Sequence, residues 1–409
     1  MEKLKLGVVG LGQRGFGMLS GFLLFDEVDV VAVCDAYADR NKRAADLVKE
    51  KRGVNPKIYE KFEDMLDDDD IKAVYVASSW DEHIRMGIAC MRAGKITAFE
   101  VGGAYDVEEC WELVKAYEET KTPIMFMENC CYDRFELLTT ALERKGMLGE
   151  VVHCHGSYSH DLRDEILGGV VNRHYRLDNY KNRNCDNYPT HEFGPIAKLI
   201  GINRGNRMLT LSSVASKAVG LAAFTVDDRN PDKNQIGQKF RQGDIISTVI
   251  TCAGGETVTL TLDTTLPRFY SREFTVRSTK GICMQDANLI MLEGREDFHE
   301  FWEPHLVLEK QLNSANNYKD YLPPIWKNIT EEEMKAGHGG MDYLMLKSFI
   351  FHALGDKDMP IDVYDAAAWM CITPLTEQSI SLGGAPVPVP DFTVGKWIKR
   401  GRKDVTDFD

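Results

Sequence analysis

An apolar run followed by a glycine-rich turn, LKLGVVGLGQRG, occupies residues 4–15. The run Leu4–Val9 has the composition of a buried strand, and the amphipathic segment after the turn predicts a helix. The turn has the spacing Gly-x-Gly-x-x-Gly. Its first glycine permits a tight turn, its second lets the backbone approach a pyrophosphate, and its third allows the helix to pack closely on the strand. Because a helix N-terminus favours phosphate, the segment predicts a dinucleotide site.

An acidic residue at the end of the second predicted strand indicates which dinucleotide binds. Asp35 lies twenty residues after Gly15, where a carboxylate would accept hydrogen bonds from the adenosine ribose and repel a 2′-phosphate. NAD is therefore favoured over NADP, and Arg40 would weaken that preference. The residues of this region that we expect at the cofactor are Gly10, Gly12, Gln13, Arg14, Gly15, Asp35 and Arg40.

Short apolar runs alternate with helix-length amphipathic segments over the first 130 residues. This order predicts a parallel sheet covered by helices on both faces, with ligands at the carboxyl ends of its strands. Residues that follow two further strands of that sheet are therefore cofactor candidates. They are Ser79, Trp80, His83, Glu100 and Val101.

The pattern changes after Cys131 to strands rich in Val, Thr and Ser, which predicts a mostly antiparallel sheet. We expect an α/β protein with an N-terminal Rossmann domain over residues 1–130. A C-terminal α+β domain over residues 131–409, built on the open sheet, would bind substrate and form oligomers, and its last helices would be able to pack back on the first domain. The polar stretch Ser159–Thr190 predicts a long functional loop. Closing helices are predicted at Tyr343–Leu354 and Asp365–Leu382.

Composition excludes several classes of function. The 409 residues include 49 Lys and Arg against 63 Asp and Glu, a net charge of −14 with no basic block, which disfavours nucleic acid as a partner. The sequence has no apolar run of about 18 residues that would cross a membrane. Met1–Lys5 leads straight into the first strand without the apolar region of a signal peptide. None of the ten cysteines forms a Cys-x-x-Cys pair, so we expect a cytoplasmic protein with reduced thiols.

The chain resembles the Gfo/Idh/MocA family and, within it, glycoside hydrolase family 109, over essentially its whole length. Residues 10–15 and 100–101 carry the broader resemblance. The more specific segments are residues 109–114 (ECWELV), 127–132 (MENCCY), 158–163 (YSHDLR), 180–184 (YKNRN), 188–191 (YPTH), 202–207 (INRGNR), 337–342 (GHGGMD) and 364–369 (YDAAAW). The resemblance adds Asn129 to the expected cofactor residues.

Two positions depart from the typical dehydrogenases of the broader family. Those proteins carry Glu-Lys-Pro, whose Lys serves catalysis, and an Asp and a His four residues apart on a helix. This sequence has Val101 in place of the Lys, and Asn187 before His191. Glycoside hydrolase family 109 shares the missing Lys, so another group must move protons.

The resemblance implies glycoside cleavage with NAD as a recycled catalyst in place of paired carboxylates. The implied steps are oxidation at sugar C3, deprotonation at C2, elimination, addition of water and re-reduction, with α-N-acetylgalactosaminides as the implied substrates. The implied catalytic residues are Tyr158, His191 and His160, and the implied substrate-binding residues are Arg176, Tyr188, Tyr270 and Arg163.

The chemistry of these side chains leaves the division of roles among Tyr158, His160 and His191 open. A histidine, with an ordinary pKa of about 6.5, suits the proton of the C3 hydroxyl. A tyrosine can serve as the base at C2 only if a nearby cation lowers its pKa from about 10. The candidate cations are Arg163, Arg176 and Arg183.

Alternative functions are an NAD-dependent sugar or 3-keto-glycoside oxidoreductase, a non-catalytic NAD-binding regulator, and a two-carboxylate hydrolase using Glu100 and Asp161. No metal is expected, because His153 and His155 share one face of a strand while His160 falls on the other. We expect a small glycoside substrate, no nucleic-acid or membrane partner, and a homo-oligomer.

Overall fold

The computed structural model describes residues 3–294, 303–355 and 357–408. The chain divides into two compact units. The first is formed by the described residues of 1–132, 329–371 and 403–409, and the second by those of 133–328 and 372–402.

A six-stranded parallel sheet in the order β3-β2-β1-β4-β5-β6 forms the centre of the first unit. Its strands and the helices between them are β1 (Leu4–Val9), α1 (Gln13–Phe22), β2 (Val28–Cys34), α2 (Ala38–Arg52), β3 (Lys57–Tyr59), α3 (Phe62–Leu66), β4 (Ala73–Val76), α4 (Trp80–Arg92), β5 (Ile96–Phe99), α5 (Val107–Thr120) and β6 (Ile124–Phe126). The 3₁₀ helix Asn129–Tyr132 follows. The predicted parallel sheet is confirmed, and its strands are buried apolar runs, as expected for a sheet covered on both faces.

An eight-stranded mixed sheet in the order β13-β12-β11-β7-β10-β9-β8-β14 forms the second unit. The elements from its start to residue 328 are α6 (Arg134–Arg144), β7 (Val151–Ser159), α7 (Arg163–Leu167), α8 (Gly169–Asn172), α9 (Arg176–Asn182), α10 (Thr190–Leu199), β8 (Met208–Ala215), α11 (Gly220–Phe224), β9 (Ile245–Cys252), β10 (Thr257–Asp263), β11 (Thr275–Ser278), β12 (Gly281–Met284), β13 (Leu289–Leu292), α12 (Pro304–Gln311) and α13 (Pro324–Lys327). All neighbouring strands are antiparallel except β7 and β10, so the predicted, mostly antiparallel sheet is confirmed.

The closing part of the chain contributes to both units. Its elements are α14 (Glu331–Met334), α15 (Met341–Leu354), α16 (Val363–Met370), α17 (Ile372–Ser381) and β14 (Val387–Pro388). The single helix expected over Asp365–Leu382 is wrong, because the chain breaks at Cys371 into α16 and α17. Pro374 explains the break, since its ring would clash with the carbonyl of Met370 in a continuous helix.

The stretch Ser159–Thr190, expected as a loop, contains the three short helices α7, α8 and α9. None is longer than seven residues, which is too short for a helical period to appear in the sequence. Burial of Ile166, Leu167 and Leu177 against the rest of the unit holds them.

Across the described residues, no helix combines the length and the apolar character needed to cross a membrane. All ten cysteines are buried.

Candidate active site

The glycine turn between β1 and α1 leaves no room for side chains at two of its three glycines. Gly10 has a φ of +82°, and a Cβ atom there would lie 2.4 Å from the backbone of Ala77. A Cβ on Gly15 would lie 1.7 Å from the carbonyl oxygen of Gly10. At Gly12 the nearest atom to such a Cβ is Nη1 of Arg40, at 3.6 Å. The turn is therefore a bare backbone cradle at a helix N-terminus, which fits a pyrophosphate.

We expect Gly15→Ala to abolish NAD binding and to lower the melting temperature, because the added methyl group collides with backbone rather than with a movable side chain. Gly17→Ala is the matched control: it lies in the same helix with no atom within 4 Å of the new Cβ. It should keep NAD binding and stabilise the helix by about 0.5–1 kcal/mol. Calorimetric NAD titration and thermal unfolding measure both, and NAD binding by the Gly15 variant would contradict the cradle.

Asp35 closes the cradle from the end of β2. Its carboxylate accepts hydrogen bonds from the backbone N–H of Leu11, at 2.6 Å, and of Tyr37, at 2.9 Å. Arg40 Nη1 lies 3.8 Å from the same carboxylate, and the guanidinium stacks on the ring of Tyr37. A carboxylate has about four acceptor positions. Asp35 therefore keeps acceptor capacity for ribose hydroxyls, with Arg40 beside it.

Arg14 joins three parts of the first unit in one partly buried network. Its Nε donates to Glu100 at 2.9 Å, and its Nη1 donates to Asp342 at 2.8 Å. Asn129 Nδ2 donates to the other oxygen of Asp342 at 2.8 Å, and the hydroxyl of Tyr75 donates to Glu100 at 2.6 Å. The structure thus brings together three predicted cofactor residues, Arg14, Glu100 and Asn129.

The charges of this network stabilise one another. Burial opposes the charge of Arg14, but Glu100 and Asp342 raise its pKa well above the ordinary value. Burial also opposes the charge of Asp342, yet Arg14 and His338 hold the pKa of that carboxyl well below its usual range. His338 Nδ1 lies 2.7 Å from the Asp342 carboxylate. Arg14 and Asp342 are therefore ionised and fixed in place, and Glu100 is committed to the same network by its hydrogen bonds.

The residues that follow β4 and β5 are closely packed. The ring of Trp80 covers Gly102, where a Cβ would lie 2.4 Å from the indole. His83 is buried, and its Nε2 donates to the carbonyl of Ser78 at 3.0 Å. Burial lowers the pKa of His83 to about 4, so the ring is neutral at neutral pH. Val101 is buried too. The cofactor contacts predicted for these residues and for Ser79 stay predictions.

In the second unit, Tyr158 is the centre of an aromatic cluster at the end of β7. Its ring centroid lies 4.6 Å from that of Tyr188, 5.4 Å from that of His191 and 6.3 Å from that of His160. The ring of Tyr270 lies 5.2 Å beyond His160. The structure therefore brings together all three predicted catalytic residues and both predicted substrate-binding tyrosines.

Of the three candidate cations, Arg176 is the one that acts on Tyr158. Its guanidinium lies 5.2 Å from the ring of Tyr188 and 3.0 Å from Glu165. Burial opposes the charge of Arg176, but Tyr158 and then Glu165 raise its pKa well above the ordinary value. Arg176 is therefore charged, and its charge interacts with Tyr158 as well as with Glu165.

The other two arginines also pair with carboxylates, as Arg176 does with Glu165. Arg163 makes a two-point ion pair with Asp161, at 2.8 and 2.7 Å, and its guanidinium stacks on Phe224. Arg183 donates twice to Glu377, at 3.0 and 2.8 Å. The sugar contact predicted for Arg163 stays a prediction.

Sequence reasoning missed residues that position the predicted ones. Asp342 ends the segment GHGGMD at residues 337–342, where nothing in the sequence signals that it anchors both Arg14 and Asn129. Arg272 was missed altogether. Its Nη1 donates to the Tyr270 hydroxyl at 3.1 Å, while its Nη2 is held by Glu136 at 2.7 Å. No local spacing signals contacts of this kind.

Comparison with known proteins finds a matching family model for each of two parts of the chain. The family model described as an oxidoreductase family with an NAD-binding Rossmann fold matches residues 4–127. The model described as the C-terminal domain of glycosyl hydrolase 109 matches residues 132–399. An alpha-N-acetylgalactosaminidase of Tannerella forsythia is 36% identical over 97% of this chain and 88% of its own. A glycosyl hydrolase family 109 protein of Stenotrophomonas maltophilia is 36% identical over 100% of this chain and 92% of its own.

Among solved structures, the WlbA dehydrogenase of Bordetella pertussis, in complex with NADH and UDP-GlcNAcA, shares the fold. It has a TM-score of 0.66 and 14% identity over 95% of this chain and 98% of its own. The chain is therefore an NAD-binding protein of the Gfo/Idh/MocA class. Within that class it belongs to glycosyl hydrolase family 109. The predicted fold class, resemblance and cofactor are confirmed.

Proposed function

We propose that the protein is an NAD-dependent glycosidase that cleaves α-N-acetylgalactosaminides. The observation that carries the proposal is the cluster around Tyr158, which sets a phenol beside the charge of Arg176 and the ring of His191. Family membership supports glycoside cleavage, and the name of the relative from Tannerella forsythia supports the sugar.

The first unit would hold the cofactor through its own backbone and charges. The cradle of Gly10, Gly12 and Gly15 would take the pyrophosphate, and Asp35 would take the adenosine ribose. When bound, NAD supplies a hydride acceptor that oxidises the sugar at C3 and later returns the hydride. The Arg14 network would fix the position of the loop around it.

The second unit would move the protons. We assign to His191 the proton of the C3 hydroxyl, because an imidazole accepts a proton near neutral pH. We assign to Tyr158 the proton at C2, since the charge of Arg176 favours the phenolate that this step needs. Once a C3 ketone is present the C2 hydrogen is acidic, so a phenolate suffices as the base. Loss of that proton would expel the group at C1, which takes up a proton as it leaves, and water would then add its oxygen to C1 while a proton returns to C2.

Tyr188, Arg176 and Tyr270 would bind the sugar. Tyrosine rings offer an apolar face and a polar tip, and a guanidinium offers fixed donors to hydroxyl groups or an N-acetyl carbonyl. His160 lies between the rings of Tyr158 and Tyr270, and we assign it to positioning the substrate rather than to proton transfer. Its Nδ1 faces the carbonyl of Asp161 at 3.3 Å.

A simple dehydrogenase is the alternative, and two positions argue against it. Val101 is a buried hydrocarbon where typical dehydrogenases of the class carry a catalytic lysine. Asn187, which replaces their aspartate, is buried and donates to Gln242 at 2.7 Å. Neither side chain can accept a proton from a substrate hydroxyl, so the Tyr158 cluster is left to do so.

The test compares enzyme stripped of NAD with enzyme to which NAD is restored, using nitrophenyl α-N-acetylgalactosaminide. The proposal expects nitrophenol release that depends on NAD, with no net accumulation of NADH. NADH formed in step with substrate, without nitrophenol, would make the protein a dehydrogenase. Cleavage that survives complete NAD removal would make it a hydrolase that uses carboxylates.

We also propose that the protein forms a homo-oligomer through the open face of its eight-stranded sheet. Helices α10 and α17 pack against the opposite face. Val214 and Val249 share the open face and are about half exposed, which favours pairing with a second copy. Light scattering should give a mass of more than one chain, and a monomeric mass would count against this surface.

The cytoplasm is the compartment that we propose, and the burial of all ten cysteine side chains in the reduced form supports it. Fractionation of cells that produce the native protein would settle the matter, since recovery outside the cytoplasm contradicts this assignment.

A further inference from the structure

Two carboxyl groups lie side by side in the interior of the second unit. Asp186 and Glu192 are 0% and 1% exposed, and their side chains are within hydrogen-bonding reach of each other. Asp186 Oδ2 and Glu192 Oε1 have no N–H or O–H donor among the residues that the structure describes. Two ionised carboxylates within hydrogen-bonding reach repel each other, whereas two carboxyl groups that share one proton form a hydrogen bond. The geometry therefore calls for one proton between them.

Glu192 ties its helix to the strand that carries Tyr158. Its Oε2 accepts from the backbone N–H of Thr261 at 2.9 Å, and its carboxyl also accepts from the backbone N–H of Tyr158. Strands β7 and β10 are neighbours at this level, where Leu262 is paired with Tyr158. The helix is also pressed against β7, because a Cβ on Gly156 would lie 2.2 Å from the carbonyl oxygen of Glu192. His191 is the residue before Glu192, so its place depends on these contacts.

Asp186 ties the segment that carries Tyr188 to another helix. Its Oδ1 accepts from the backbone N–H of Tyr188 at 3.1 Å. Its own N–H donates to Thr376 Oγ1 at 2.9 Å, and its carbonyl accepts from Thr373 Oγ1 at 2.6 Å. Both threonines belong to α17. Asp186 is therefore fixed independently of Glu192, and a shared proton would join the two anchors.

We propose that the Asp186–Glu192 pair is a proton-bridged clip that sets Tyr158, Tyr188 and His191 at their working separations. The inference rests on the glycosidase function proposed above and goes beyond it, since it assigns two buried groups that the reaction scheme does not use. Neither carboxyl is a catalytic residue, because both act through the residues that they hold. Burial, and then the charge of Asp186, raises the pKa of Glu192 well above its usual range, in agreement with a retained proton.

The first test compares a Glu192 variant that keeps the size and hydrogen bonds of the side chain with one that loses both. In Glu192→Gln the amide N–H replaces the bridging proton and the amide oxygen keeps the backbone bonds, so most of the wild-type kcat should remain. Glu192→Ala removes the clip. We expect a fall in kcat of about 10²-fold, as for a displacement of about 1 Å of catalytic groups, with a much smaller change in KM. Glu256→Gln, which removes a carboxylate just before β10, is the matched control.

The second test does not depend on catalysis. The infrared difference spectrum between wild type and Glu192→Gln at neutral pH should show the loss of one protonated-carboxyl C=O band, absent from the difference for Glu256→Gln. With that band present, an inactive wild type would overturn the proposed function and leave the shared proton in place. Absence of the band, or an Ala variant with wild-type kcat, overturns the clip. If Glu192→Ala does not fold, the kcat of Glu192→Gln and the protonated-carboxyl infrared band still test the clip.

Discussion

A Tyr158→Phe variant is expected to cleave α-N-acetylgalactosaminides about 10²- to 10⁴-fold more slowly than the wild type, the usual contribution of a positioned general base. The substitution removes one oxygen atom and keeps the ring that packs against Tyr188 at 4.6 Å. NAD affinity should stay unchanged, because the cradle that would bind the dinucleotide belongs to the first unit. Initial rates with a nitrophenyl glycoside, together with calorimetric NAD titration, measure both quantities.

Tyr318→Phe is the matched control for that experiment. Tyr318 is a buried tyrosine of the same unit, in the 3₁₀ helix Ser314–Tyr321, and it takes no part in the aromatic cluster. Its variant should keep the wild-type rate. A Tyr158→Phe variant that loses less than about fivefold would transfer the role of base to another group, and His160, 6.3 Å from the Tyr158 ring, is the candidate without another proton-transfer role.

An Arg176→Met variant is expected to lose activity at neutral pH and to regain part of it in alkali. A neighbouring positive charge lowers the pKa of an acid by about 1–3 units, so its removal should cut the phenolate fraction of Tyr158 by about 10- to 10³-fold. The base works in its deprotonated form. The ascending limb of the pH profile of kcat should therefore move to higher pH by the same number of units, which a series of rates across pH measures.

Arg207→Met provides the comparison for the loss of a half-buried arginine. Arg207 pairs with Asp391 at 3.5 Å, away from the Tyr158 cluster, and its removal should leave the pH profile in place. A rise in KM for Arg176→Met, with the ascending limb of the pH profile of kcat unshifted, would mean that Arg176 only binds the sugar. The dependence of Tyr158 on its charge would then be wrong.

The sequence predicted the first unit closely because its strands are continuous apolar runs bounded by turns. The strand Leu4–Val9 has the expected bounds. The short edge strand β3 was missed, since three residues with two exposed side chains carry no hydrophobic pattern. The parallel pairing of β7 with β10 could not be foreseen either, because strand composition does not encode partners 104 residues away, such as His153 and Thr257.

The candidate site also contains some residues that the sequence predicts and others that only the fold identifies. The glycine turn and Asp35 are visible in the sequence because their roles follow from spacing along the chain. The choice of Arg176 over Arg163 and Arg183 is not, because it depends on which arginine the fold brings to the rings of Tyr158 and Tyr188. The pairing of Arg14 with Asp342 joins residues 328 positions apart. Long-range charge pairs of that kind leave no local signal.

The most direct test of the proposed chemistry follows the hydrogen at sugar C2 during cleavage in D₂O. A base that removes this proton, as we assign to Tyr158, exchanges it with solvent before the product is re-formed. We expect N-acetylgalactosamine carrying deuterium at C2, seen by NMR, with NAD supplied and no net NADH. Product released at the same rate with its C2 hydrogen fully retained would rule out deprotonation at C2, because direct displacement at C1 never breaks that bond.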